Sequence, residues 1–304
     1  MPRRRATRWK PSVLTVLIAL LILGGSAAGA YPMTASWFSS YNQSKVIGNY
    51  EGELKNVVPT VRAQLKEARE YNQVLTAGVQ LNKNANVPRG TGVSKKPKLD
   101  YDKILSTGAA GMMGRIKIPA AQVDLPIYHG TSDAVLERGA GHLEGTSLPI
   151  GGAGTRSVIT AHRGLANATM FTHLDRVKKG DTFTLEIFGE VLSYKVVTTQ
   201  VIDPEDTATL RAEPGKDLVS LITCTPLGIN TQRIVVTGAR VTPTPPENIR
   251  TAGKRPEIPG FPWWAVVLSL GLATSVTYFV ARGYTDARIR HRKAVKTCKA
   301  VDPE

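Results

Sequence analysis

The chain has 304 residues, 42% of them hydrophobic, and a formal charge of +15. That length suits one or two domains with a full core, and the apolar fraction excludes a disordered or low-complexity chain. The charge pattern excludes a nucleic-acid reading, because more than half of the excess lies in two short tails that abut apolar segments.

Residues 1–12 carry Arg3, Arg4, Arg5, Arg8 and Lys10 and no acid. Residues 13–31, VLTVLIALLILGGSAAGAY, hold no charge. About 20 such residues span a bilayer as a helix. The segment is therefore a transmembrane helix or, given the small residues of SAAGA, a cleaved signal peptide. Residues 32–109 follow as a helical region with a loop. Across 39–82, Val57, Val61, Leu65 and Ala68 recur at helical spacing, and Pro59 is expected to kink or divide the stretch. Residues 83–98, KNANVPRGTGVSKKPK, read as a mobile loop.

From about residue 110 the pattern changes. RIKIP, VDLPIYHG, RSVITAH, DTFTLEIFG, EVLSYKVVTTQVI, LVSLITC and RIVVTGARV are rich in β-branched and aromatic residues, with Gly, Pro, Asn and Asp between them. Residues 110–242 thus form a mainly β domain, a closed barrel or a sandwich. Residues 243–260 are a Pro-rich tether. Residues 261–281, FPWWAVVLSLGLATSVTYFVA, make a second uncharged span, with Trp263 and Trp264 at one edge. Residues 282–304 are again basic, with Arg282, Arg288, Arg290, Arg292, Lys293, Lys296 and Lys299 against Asp286, Asp302 and Glu304. Positive flanks on both spans put both tails in the cytoplasm and residues 32–260 outside, with the plasma membrane as a partner.

This topology separates the two cysteines. Cys298 lies in the cytoplasmic tail and Cys224 in the exported domain, so they form no intramolecular disulfide. A lone exported cysteine is either a buried inert side chain or one kept for its reactivity. Of the exported histidines His129, His142, His162 and His173, His162 stands out, because it follows the strand SVITA where a loop begins. Cys224 has the same setting after LVSLIT. Two such strand ends can converge on one rim, where a histidine serves a cysteine nucleophile and the guanidinium of Arg233 serves an oxyanion. The competing reading is a buried small side chain at 224 and a surface histidine and arginine. His142 in GHLEG reads as structural, with Glu144 and Thr146 as local partners. No CxxC or HExxH spacing supports a metal, and the glycines of LPIGGAGTR lack a phosphate-loop ending.

LITCTP (221–226) resembles the TLxTC signature of sortases. MGRIKIPAAQVDLPIYHGTSDAVLERGAGHLEGTSLPIGG (113–152), SVITAHRGLANATMFTHLDRVKKGD (157–181) and TCTPLGINTQRIVVTGARV (223–241) resemble class C sortases, the pilin polymerases of Gram-positive bacteria. The resemblance implies a closed β-barrel of about eight strands with N-terminal helices, flanked by two transmembrane helices. It implies that Cys224 is the nucleophile, His162 the acid–base and Arg233 the stabiliser of oxyanion or substrate. Such enzymes cleave an LPxTG-like signal between Thr and Gly through a thioester, and a lysine of another pilin subunit then takes the acyl group. Pilin subunits are thus the implied partners, and no cofactor is implied. Thr223 and Thr225 beside the cysteine, and Pro204 and Glu205 in the loop 201–217, are the implied substrate contacts.

The chain departs from the class at one place. The loop at 82–103 holds no DPF or DPW lid motif, and Asp100-Tyr101 is the nearest acid–aromatic pair. Three other readings compete with the polymerase. A sortase that anchors proteins to the cell-wall precursor would use the same site, and a cysteine protease would pass the acyl group to water. A non-enzymatic surface protein that is itself sorted would need an LPxTG before its C-terminal span, and RPEIPGFPWW (255–264) contains none.

Overall fold

The structure, a computed structural model, describes residues 9, 11–57, 60–76, 79–80, 89–90, 93–94, 100–107, 111–257 and 259–301. Its α-helices are α1 (Val13–Leu54), α2 (Val61–Val74), α3 (Asp133–Leu136), α4 (Pro246–Thr251) and α5 (Trp263–Val301). The chain divides into two compact units, Met1–Ala35 with Phe261–Glu304, and Ser36–Gly260.

In the first unit, the apolar part of α1 and that of α5 are each long and apolar enough to cross a membrane. They run antiparallel. The Ser12 amide and the Thr15 hydroxyl donate to Asp286 Oδ2 at 2.9 and 2.8 Å, and Ser275 Oγ donates to the Ala19 carbonyl at 2.8 Å. Small residues bring the two helices close, since a Cβ on Gly271 would lie 2.5 Å from Ser26 Oγ. α1 continues without a break through the SAAGA stretch and past Pro32. The division expected near Pro59 falls between the end of α1 and the start of α2, with residues 58 and 59 themselves outside the described ones.

The second unit is built on strands β1 (Met112–Ile118), β2 (Val123–His129), β3 (Ala140–His142), β4 (Thr155–Thr160), β5 (Thr182–Ile187), β6 (Glu190–Ile202), β7 (Asp217–Thr225) and β8 (Gln232–Val241). They close in the order β6-β8-β7-β4-β3-β2-β1-β5, so the barrel expectation holds and the sandwich does not. β4 and β7 pair in parallel, as do β2 and β3. Alternation along each strand separates two cores. Ile116, Ile127, Ile159, Val219, Leu221, Ile234 and Val236 belong to the main cluster. Val158, Ile222 and Val235 point the other way and join Leu143, Ile202 and Leu210 in a smaller cluster. α2 buries Gln64, Leu65, Ala68 and Tyr71 on one stripe at helical spacing. Most of the loop at 83–98 lies outside the described residues, but Arg89–Gly90 pairs with Val79–Gln80 and Val93–Ser94 with Leu75–Thr76.

The segment read as a tether is fastened to the barrel. Asn248 donates to Ser193 Oγ at 2.8 Å, and Thr244 Oγ1 to the Val191 carbonyl at 2.9 Å. Arg115, 2% exposed, binds both oxygens of Asp124 at 2.6 and 2.7 Å and donates to the Lys254 carbonyl at 2.8 Å. Pro-rich composition shows only that the segment is extended. Whether its carbonyls find donors depends on which barrel residues face it.

Tyr101 belongs to the main core, against Tyr71, His129 and His142. Its phenol lies 2.9 Å from His142 Nδ1 and accepts from the Gly130 amide at 3.0 Å. His142 Nε2 lies 2.9 Å from the Ser147 carbonyl and 3.2 Å from Thr146 Oγ1. A carbonyl only accepts, so Nε2 carries a proton. Thr146 is a partner as expected, whereas Glu144 is exposed. Burial pushes His142 down from 6.5 to about 3. The unfolded chain takes that proton near 6.5, so between 6.5 and about 3 it binds more protons than the folded chain. Stability is expected to fall on acidification through this window, by on the order of a few kcal/mol from His142 alone. Unfolding free energies measured against pH for the native chain and for His142→Gln test this. The variant should lose most of that slope.

Candidate active site

β7 ends LITCT, and its alternation decides where the cysteine points. Leu221 lies in the main core and Ile222 in the smaller cluster on the opposite face, so Cys224 shares the face of Ile222. On β8, Arg233 is the register partner of Cys224, as Val235 is of Ile222. On β4, Thr160 pairs with Ile222. Ala161 continues the strand into the main core, which turns His162 to the face of Cys224. Extending the register by two residues brings His162 level with Cys224. Neighbouring strands lie about 4.8 Å apart. Arg233 and Cys224 are therefore lateral neighbours on adjacent strands, and the extended register places His162, two residues past the end of β4, on the other side of Cys224 on the same outer face. The extended register puts the two strand ends side by side along a sheet, not on loops that meet across a rim.

The segment between β6 and β7 covers this face. Leu210 and Ile202 pack on Val158, Ile222 and Val235. Glu213 bonds Arg156 at 2.7 Å, and Arg156 in turn bonds Ser220 Oγ at 2.9 Å. Gln232 reaches Asp203 at 3.3 Å. The cover leaves Cys224 6%, His162 8% and Arg233 0% exposed.

Burial sets the protonation. It pushes the Cys224 thiol up, against the pull of the Arg233 charge. It pushes His162 down, against the acids Asp133 and Glu137. Both directions favour neutral forms, so the resting pair is a thiol beside a neutral imidazole. Arg233 is clamped by the turn that follows Cys224, where its Nη1 donates to the carbonyls of Asn230 at 2.8 Å and Gln232 at 2.9 Å. Such an arrangement suits acyl transfer. A nucleophile has a base beside it on one side and a fixed cation on the other.

The other expected site residues divide. Pro204 is buried and Glu205 exposed in the covering segment. Thr223 is 1% exposed, points into the barrel and donates to the Ala161 carbonyl at 2.8 Å, so it offers a substrate nothing and holds two strands together. Thr225 Oγ1 accepts from Arg163 at 2.9 Å. Tyr101 belongs to the main cluster, where its phenol is held by His142 and the Gly130 amide. Asp100 is exposed and pairs with Lys103 at 2.8 Å. Three arms of the site had no role in the sequence reading: Arg156, Arg163 and the acids Asp133 and Glu137. The one available signal was the position of Arg163 directly after His162.

The sortase domain family profile matches residues 116–241. The chain is 31% identical over 139 residues to Sortase D of Bacillus subtilis, an alignment covering 45% of this chain and 66% of that one. It spans less than two thirds of the length of the curated relatives it matches, 59% to 66% of each. Among solved structures, sortase C-1 from Actinomyces oris is 42% identical, with a TM-score of 0.53 over 60% of this chain and 99% of that one. The pilus-related Sortase C of Group B Streptococcus is 34% identical, with a TM-score of 0.55 over 64% of this chain and 96% of that one.

Proposed function

The chain belongs to the sortase family, and from that premise we propose that it is a membrane-anchored cysteine transpeptidase that joins pilin subunits. The observation that carries the reading is the register pair of Cys224 with Arg233, with His162 two residues past the β4 partner of Ile222 on the same face. Cys224 Sγ attacks the Thr carbonyl of an LPxTG-like signal. Its proton passes to His162, and Arg233 stabilises the oxyanion. The carbon–nitrogen bond to Gly breaks, and the Gly amine leaves with the proton held on His162. A lysine amine of a second pilin then attacks the thioester, gives up a proton and releases the Cys224 thiol, leaving an isopeptide bond. Lysine as acceptor is supported by the likeness to sortases C of pilus systems. The antiparallel pairing of α1 and α5 supports both basic tails lying on one side, the cytoplasmic one.

The test is intact-mass analysis of the full chain in detergent, mixed with an LPxTG peptide and then a pilin domain. The expected result is an acyl adduct on Cys224 that the pilin lysine resolves into an isopeptide product. An adduct resolved only by a cell-wall amine would favour the anchoring sortase, and one resolved only by water a protease. No adduct in any arm would overturn the reading.

A further inference from the structure

The backbone ladder between β4 and β7 stops short of the two reactive side chains. Its last register pair is Thr160 with Ile222, and its last backbone bond runs from the Ala161 amide to the Ile222 carbonyl at 3.3 Å. His162 and Cys224 lie past that point, each at the root of a loop. Something else must hold their separation, because proton transfer needs heavy atoms within about 3.2 Å. Displacement by about 1 Å costs on the order of a hundredfold in rate.

The side chains after the two residues continue the pairing. Arg163 Nη1 donates to Thr225 Oγ1 at 2.9 Å, which joins the residue after His162 to the residue after Cys224. Arg163 Nε donates to the Thr172 carbonyl at 3.2 Å, and its Nη2 pairs with Asp175 at 3.1 Å. The side chain is only 8% exposed. Three bonds in three directions leave a planar guanidinium little freedom. One step further along, Gly164 at φ +74 meets the other loop again, where a Cβ would lie 2.5 Å from Leu227 Cδ2. The turn behind His162 is closed too, by the Phe171 amide on the His162 carbonyl at 2.9 Å and the Gly164 amide on Thr172 Oγ1 at 3.1 Å.

We infer that Arg163 is a positioning residue of this site. It takes over where the sheet ladder ends, and through Thr225 it holds the His162 imidazole within reach of the Cys224 thiol. The bonds of Arg163 go to Thr225, Thr172 and Asp175, and its effect passes through the two residues it spaces. The inference rests on reading Cys224 and His162 as a reactive pair. It accounts for an arginine sequestered beside a neutral thiol–imidazole pair, where a lysine would carry the same charge without the fork.

Thr225→Val removes the acceptor while keeping the shape of the side chain, and Thr225→Ser keeps the acceptor. The reagent is iodoacetamide, and the readout is the rate of Cys224 alkylation against pH in the full chain, followed by intact mass. This readout needs no substrate. Alkylation of Thr225→Val is expected to fall about tenfold at neutral pH and to rejoin the native rate at high pH, where the thiol ionises unaided. Thr225→Ser is expected to follow the native profile, and the unfolding midpoints should agree across the series. With peptide substrate, kcat should fall in Thr225→Val and KM should hold, since the hydroxyl is bound to Arg163 and not to the substrate. A native alkylation profile in Thr225→Val, alongside an altered one in His162→Gln, would overturn the role of Arg163. A native profile in both would overturn the reactive pair itself. An altered profile in Thr225→Val with no peptide turnover by the native chain would support the positioning role and count against the transpeptidase.

Discussion

Cys224→Ala is expected to abolish transpeptidation, with a loss on the order of 10⁴-fold or more, and to leave the fold intact. A covalent nucleophile has no substitute within reach, and losing one member of such a unit costs nearly as much as losing all of it. Stability has little reason to change. Cys224 is small, sits next to the end of β7 and keeps its ladder partner Arg233 as alanine. The lost sulfur atom costs about 1 kcal/mol in packing. Single-turnover rates and unfolding midpoints, measured side by side, decide the matter. The alternative of a buried inert side chain predicts the reverse, a modest drop in stability and unchanged turnover. A variant that kept a sizeable fraction of the native rate would remove Cys224 from the mechanism.

His162→Gln is expected to lower kcat/KM by roughly 10²- to 10⁴-fold and to change the shape of its pH dependence. In the native chain the imidazole is held below its ordinary 6.5 and the thiol above its ordinary 9.0. The active form carries one proton shared between the two, whichever partner holds it. As pH falls through the lowered histidine value, a second proton binds and activity is lost. As pH rises through the raised thiol value, the shared proton leaves and activity is lost again. The result is a broad bell with limbs outside those two ordinary values. Glutamine cannot titrate, so the variant should lose the acid limb and keep only a rise with thiol ionisation. A variant that retained the native bell would show that another group is the acid–base. Burial lowers His162 and Asp133 and Glu137 oppose that fall, which limits how far the acid limb moves.

The barrel is legible in the sequence because RIKIP, SVITA, LVSLI and IVVTGARV are short runs rich in β-branched residues, with turn residues between them. The three reactive residue types are legible because each follows or begins such a run. The face they occupy is not. Both faces of β4, β7 and β8 are buried, one toward the main core and the other toward the cluster of Ile202, Leu210 and Val235. A strand buried on both sides shows no polar side from which to read direction. The place of Tyr101 is hidden for a related reason. An acid–aromatic pair beside a loop gives no sign of its surroundings, and only the partners of its phenol, His142 and Gly130, show it to be packed in the core.

By itself, then, the sequence determined the mainly β domain, the apolar spans and the candidate trio Cys224, His162 and Arg233, because periodicity, apolar length and residue chemistry are local properties. Only the tertiary structure decided that the trio stands side by side on one outer face and that Arg163 continues the ladder past its end. It alone decided that Arg115 binds the segment after the barrel. Apart from the Cys224–Arg233 pair, these are cross-strand and cross-loop relations between residues about 60 to 140 positions apart. They depend on register and strand order, which no single stretch of sequence contains.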